Sequence, residues 1–142
     1  PVFDPATLQC VGVPIFLAGD VNDAAPLLHE AADDGRIAGE NAARFPEVAP
    51  GARRSSLSIT FTEPQLAIAG ARFVDLAAVQ GLVIGEVSFA DQGRSRVMLQ
   101  NRGMCRLYAD PKTGRFLGAE MAGPRAEHIG HLLAWAHQQQ LT

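Results

Sequence analysis

The spacing of hydrophobic positions changes part-way along this chain, and the change divides it into two neighbourhoods. The first opens with "IFLAGD", Ile15 to Asp20, which reads as a buried apolar strand halted at Gly19 and Asp20. After a short loop a helical pattern runs from about Pro26 to Arg44. On that helix Leu27, Ala31, Gly35, Ala38 and Ala42 recur every three to four residues. All but the leucine are small, which predicts an inner face that packs close against a sheet. "FPEVAPGARRSS", Phe45 to Ser56, then interrupts the pattern with two prolines and a glycine and reads as a linker. Beyond it the period is two: "SLSITFT" (Ser56 to Thr62) and "EVSF" (Glu86 to Phe89) alternate as half-buried strands do. Met104 to Asp110 and Arg115 to Ala122 flank "PKTG" and predict a hairpin, with Pro111 presetting φ and Gly114 supplying a left-handed position. Helices are expected over Ala71 to Gln80 and over Arg125 to Gln139, the latter opened by Pro124. Ile129, Leu132, Leu133, Trp135 and Ala136 give the last helix an apolar face. The fold class this predicts is α+β, an antiparallel sheet with flanking helices.

Composition narrows the choice. With 142 residues, 47% of them hydrophobic, the chain has material for one ordinary core or for one core plus a fragment of a second. A net charge of −3 without any Lys/Arg cluster argues against a nucleic-acid surface. The longest apolar stretch, "LAIAGARFVDLAAVQGLVIG", is broken by Arg72, Asp75 and Gln80, so no membrane span of roughly 20 residues is expected. The chain starts at Pro1 with no initiator Met, basic segment or apolar leader. It therefore reads as a piece of something longer with no signal peptide. Cys10 and Cys105 fit neither a disulfide framework nor a metal or redox pair, and a reducing cytoplasm is the expected setting.

The candidate chemistry sits where the first apolar run stops. Asp20 at a strand end can accept two hydroxyl hydrogen bonds, which suits a polyol chain, and Gly19 lets another group approach the backbone. The same aspartate could equally well do no more than terminate a strand-to-helix connection. A helix opening near Pro26 leaves N–H groups free at its amino end, where negative charge on a ring or phosphate is stabilised. His128 and His131 stand three apart on the last helix, but no third ligand follows and "EHIGH" is not a zinc-protease pattern, so no metal is expected. Cys105, on an alternating strand with Leu107 and Ala109, reads as a small hydrophobe, and Cys10 likewise lacks a partner.

Taken together, "IFLAGDVN", "LLHEA", "GRIAGENAARF", "TFTEPQLAIAG" and "TGRFLGAEMAGPRAEHIGHLLAWA" resemble, in order and over nearly the whole chain, the carboxy-terminal part of the pyridine nucleotide-disulfide oxidoreductases. The dihydrolipoamide dehydrogenase branch is the most similar. The resemblance implies that residues 1–46 end an FAD-binding domain and that 47–55 link it to an interface domain over 56–142, truncated at its end. It implies that Asp20, beside Gly19, bonds the ribityl chain of FAD. It also places the backbone of Leu27 and Leu28, near His29, at the pyrimidine side of the isoalloxazine, where the helix end helps hold the negative charge of reduced flavin. It further implies a homodimer, NAD(P) bound elsewhere in the parent enzyme, and lipoyl-bearing proteins as partners. The family's G-x-G-x-x-G, its C-x4-C redox pair and its His-x4-Glu dyad have no counterpart in these residues. No catalytic residue is therefore expected here, and the chain taken alone is expected to be inactive. The competing expectation is a free-standing dimerisation or docking module without redox activity.

Overall fold

In the computed structural model, which describes residues 1–24 and 26–142, the chain forms two compact units, Pro1–Arg54 and Ser55–Thr142.

The first unit is a meander held against one helix. Single antiparallel bridges, Phe3 to Cys10 and Gln9 to Phe16, fold the amino-terminal segment on itself. Helix α1, Leu28–Arg44, then closes over it. The apolar centre is small: Leu8, Ile37 and Ala38, with Phe3 and Phe16 packed against them. Such a centre needs polar support. The Asn41 side chain donates to the Thr7 carbonyl at 2.9 Å and to that of Ala49 at 3.0 Å, and it accepts the Ala49 N–H at 2.9 Å.

Three expectations fail here. Ile15 to Asp20 is not a buried strand: Ile15 is exposed, the segment forms a single bridge, at Phe16, and Gly19–Asn22 is a 3-10 turn. A strand exists only through its neighbours, and the meander offers this segment a single residue of pairing. The helix begins at Leu28, because Leu27 is still extended at φ −131 and ψ 137. The stripe of small residues supplies only part of the inner face: Ala38 is buried and Ala31 packs under Gly19, but Gly35 and Ala42 are exposed, and Asp33, Asp34, Ile37 and Asn41 are buried instead. Carboxylates occupy that face because the arginines of the following segment meet them there. Residues 45–54, expected to link the two neighbourhoods, lack helix or strand but are bonded to this unit. The Gly51 N–H donates to the Ala6 carbonyl, and Arg53 and Arg54 reach back to α1.

The second unit is a five-stranded antiparallel sheet in the order β1-β2-β5-β4-β3. The strands are β1 (Leu57–Thr60), β2 (Gln65–Gly70), β3 (Val83–Ser88), β4 (Met104–Ala109) and β5 (Phe116–Gly123). The predicted hairpin is β4 and β5, and Asp110 organises its turn by accepting the Lys112 and Thr113 N–H groups. Two short helices, α2 (Phe73–Leu76) and α3 (Gly93–Val97), sit in the connections, and α4 (Ala126–Gln138) closes the chain. The expected helix over Ala71 to Gln80 is thus a single turn. It is opened by Arg72, whose guanidinium clasps Asp75 at 2.9 Å through two nitrogens.

Register explains the core. Ile59, Ala67, Met121, Cys105 and Val87 lie side by side across the five strands, as do Leu57, Ala69, Ala119, Leu107 and Gly85. Ala67 in the first row and Ala69 and Ala119 in the second are small, so α4 can settle close to the sheet. A Cβ placed on Gly130 would meet that of Ala67 at 3.0 Å. The opposite face carries a polar row, Glu120, Arg106 and Glu86, with Arg106 Nε donating to Glu86 at 2.7 Å. Tyr108 lies on that face too, under α2, its ring centroid 5.9 Å from that of Phe73.

Candidate functional site

The residues singled out in the first unit lie on two local features. Gly19 and Asp20 open the 3-10 turn, which ends where the Asp23 N–H donates to the Asp20 carbonyl at 3.1 Å, with Asp23 left-handed. Gly19 itself has φ +75, and a Cβ there would lie 3.3 Å from that of Ala31, so the turn rests directly on α1. A glycine is needed for both reasons. The Asp20 side chain is exposed and bonded to no protein group among the described residues. Leu27, Leu28 and His29 form the amino end of α1. Among the described residues no side chain caps that end, which leaves backbone donors for an external acceptor. His29 Nε2 is buried without a hydrogen-bond partner among the described residues, 3.9 Å from Glu30 Oε1.

Behind the turn is a layer of ion pairs that the sequence reading missed. Asp34 Oδ2 accepts from the Gly19 N–H at 3.0 Å and from Asn22 Nδ2 at 2.6 Å, while Oδ1 faces the Arg53 guanidinium at 2.5 Å. Asp33 accepts from Arg54 Nε at 3.1 Å, from its NH2 at 3.0 Å and from its backbone N–H at 3.2 Å. Those hydrogen bonds outweigh the cost of burial and hold the Asp33 carboxyl below the usual range. The signal was present as "DD" on the Ile37 side of the helix and "RR" at the end of the following loop. Reading the loop as a linker hid it.

In the second unit, burial pushes the Cys105 thiol up, away from the reactive thiolate, and Cys10 is buried and free in the other unit. His128 is exposed and pairs with Glu127 at 2.9 Å, and His131 is exposed. Burial, and then the nearby Arg115, lower the His137 pKa below its ordinary value, and its Nδ1 sits 2.7 Å from Ser55 Oγ. The notable surface is apolar. On the last helix Leu132 and Trp135 are 68% and 61% exposed, so the stripe read as one face splits into a buried side, with Ile129 and Leu133, and an outward one. Strand β3 is an edge strand exposed along its length, presenting Val83, Ile84 and Val87. Such an edge invites pairing or cover.

The family described as "Pyridine nucleotide-disulphide oxidoreductase, dimerisation domain" matches residues 56–142, the whole sheet and α4. The chain belongs to this family. Among curated proteins, the dihydrolipoyl dehydrogenases of Rhizobium etli and Haloferax volcanii are each 32% identical, over 118 and 131 residues. These matches cover 81% and 90% of this chain but only 24% and 27% of the relatives. The chain thus spans about a quarter of the length of the curated relatives it matches. Among solved structures, LpdA from Mycobacterium tuberculosis aligns over 99% of this chain and 30% of its own, with a TM-score of 0.81 and 23% identity. The flavoprotein disulfide reductase RclA from Escherichia coli also reaches 0.81, at 22% identity and over 32% of its length. Both share the fold of this chain. Within it the antiparallel sheet with its helices is the dimerisation domain, so the exposed apolar edge and the outward face of α4 belong to a module whose family role is association.

Proposed function

We propose that these residues form part of an FAD-dependent disulfide reductase of the dihydrolipoamide dehydrogenase type, with residues 1–46 in its FAD-binding domain and 56–142 making its homodimer. The observation that carries the reading is the likeness to dihydrolipoyl dehydrogenases across both units, joined to a family match over the sheet. The local chemistry fits FAD. A carboxylate with no protein partner among the described residues, Asp20, suits the hydroxyls of a ribityl chain, and a helix end at Leu27 and Leu28 that no described side chain caps suits the carbonyl and nitrogen edge of a flavin ring, with His29 beside it. FAD, when bound, supplies two-electron chemistry between a nicotinamide and a dithiol. The work of this chain is to bind and orient: Asp20 accepts hydroxyls, α1 presents its N–H groups, and the second unit holds two copies together. The redox cysteine pair and the NAD(P) site belong to other residues of the parent enzyme. Its natural substrate is a dihydrolipoyl group carried by a partner protein, and its setting is the cytoplasm.

The test is made on the full-length product of the gene that encodes these residues. It should purify yellow and oxidise NADH in the presence of oxidised lipoamide. Asp20→Ala should weaken FAD by about tenfold or more, since a hydrogen bond to a charged group is worth roughly 1.5–3 kcal/mol. A product that carries no flavin and shows no lipoamide-dependent turnover would remove the reading. Flavin retained with unchanged affinity in Asp20→Ala would remove the site.

A further inference from the structure

Asp34 has no counterpart among the residues assigned to FAD, yet its side chain is the one that holds the turn bearing Asp20. On that basis, and resting on the reading above, we propose that Asp34 is a positioning residue: it sets the orientation of Asp20 and so the affinity for FAD without touching the cofactor.

The geometry is specific. Asp34 is 4% exposed and stands on α1 one turn beyond Ala31. A single oxygen, Oδ2, accepts from both ends of the turn: the backbone N–H of Gly19, its first residue, and the side chain of Asn22, its last. Asn22 is fixed from its other side, because its Oδ1 accepts the Ala24 N–H at 3.0 Å. Between the two tied residues, Asp20 projects outward with no bond of its own among the described residues. The Gly19 backbone also rests on Ala31, so the turn is pinned at one end by contact and bond and at the other by a bond. Arg53 offsets the burial of the carboxylate through Oδ1, leaving Oδ2 to the turn. Losing the Asp34 side chain frees the turn to rotate, and Asp20 then loses its fixed direction.

The neighbouring residue supplies the control. Asp33 is equally buried, 5% exposed, and equally paired with an arginine, but all of its hydrogen bonds run to Arg54 and none to the turn. Asp33→Ala and Asp34→Ala should therefore cost similar stability, while only the second moves FAD affinity.

The experiment measures the FAD dissociation constant by flavin fluorescence in the full-length holoenzyme, with the folded fraction checked by circular dichroism. Asp34→Ala should weaken FAD about tenfold, and Asp34→Asn, which keeps an acceptor oxygen, should recover most of that loss. Asp33→Ala should stay within about threefold of the parent. If Asp34→Ala fails to fold, Asn22→Ala removes one of the two ties at a less buried position and should weaken FAD by about threefold to tenfold. Hydrogen exchange at the Gly19 amide should quicken in Asp34→Ala more than in Asp33→Ala. Equal FAD affinity in Asp33→Ala and Asp34→Ala, or an unchanged affinity in Asn22→Ala, overturns the proposal even where Asp20→Ala shows that the FAD site is correct. An unchanged affinity in Asp20→Ala overturns the site and this proposal together.

Discussion

Tyr108 is the only tyrosine in the chain, which makes its ionisation readable by tyrosinate absorbance without any label. It is 0% exposed, and its hydroxyl donates to Glu120 Oε2 at 2.5 Å. Burial first, and then the Glu120 carboxylate, push the phenol from its ordinary 10 up to about 12. The folded chain thus holds this proton to a higher pH than the unfolded chain does. The associated stability is complete below pH 10 and is lost as pH rises from 10 towards about 12. A shift of two units corresponds to no more than about 2.7 kcal/mol. Two variants separate the causes. Glu120→Gln removes the negative charge but not the burial, so the pKa should fall only part of the way back to 10. Tyr108→Phe keeps the ring against Phe73 and should abolish the alkaline loss. It should cost roughly 1–2 kcal/mol at neutral pH, because Glu120 is half-buried and still accepts from the Phe73 N–H at 3.3 Å. Urea unfolding followed by the single tryptophan, Trp135, reports on this unit alone. Ionisation near 10 in the folded chain, or a complete return to 10 in Glu120→Gln, would refute the reasoning.

Three further outcomes are expected. A Cβ on Gly118 would lie 2.1 Å from the Ala71 carbonyl oxygen, so Gly118→Ala should destabilise the second unit by about 3 kcal/mol or more in urea; a loss under about 0.5 kcal/mol would contradict this. His137 lies below its ordinary 6.5 because of burial and Arg115, so stability should be complete above pH 6.5 and decline as pH falls until the folded pKa is passed; a slope unchanged in His137→Gln would remove that assignment. The chain should sediment as a dimer at micromolar concentration, and Trp135→Glu, at an exposed aromatic on α4, should weaken that association at least tenfold; an unchanged dimer would place the interface elsewhere.

Local rules gave the hairpin and the last helix of the second unit. Alternation over Met104 to Ala122, with Pro111 and Gly114 between, specifies a hairpin because strand period and turn chemistry act over a few residues and agree with each other. The spacing of Ile129, Leu132, Leu133, Trp135 and Ala136 marked one apolar face of α4, but it could not say that Leu132 and Trp135 face outward while the other three are half-buried, since that depends on the position of the sheet. Short helices such as Gly93–Val97 were invisible, because a single turn carries no period to read.

The first unit shows the opposite balance. From sequence alone come the stop at Gly19–Asp20, the helix that follows and, through resemblance, the roles expected of Asp20, Leu27, Leu28 and His29. Each of these depends on a residue type in a local context. Tertiary structure decided that Ile15 to Ala18 forms no strand, that Asp33 and Asp34 face inward beside Ala38 while Gly35 and Ala42 do not, and that Arg53 and Arg54 return from a loop to meet them. A buried carboxylate is tolerable only where a distant guanidinium or N–H arrives to satisfy it, and the arrival of Gly19 fifteen residues before Asp34, or of Arg53 nineteen after it, is a property of the folded chain that no local pattern contains.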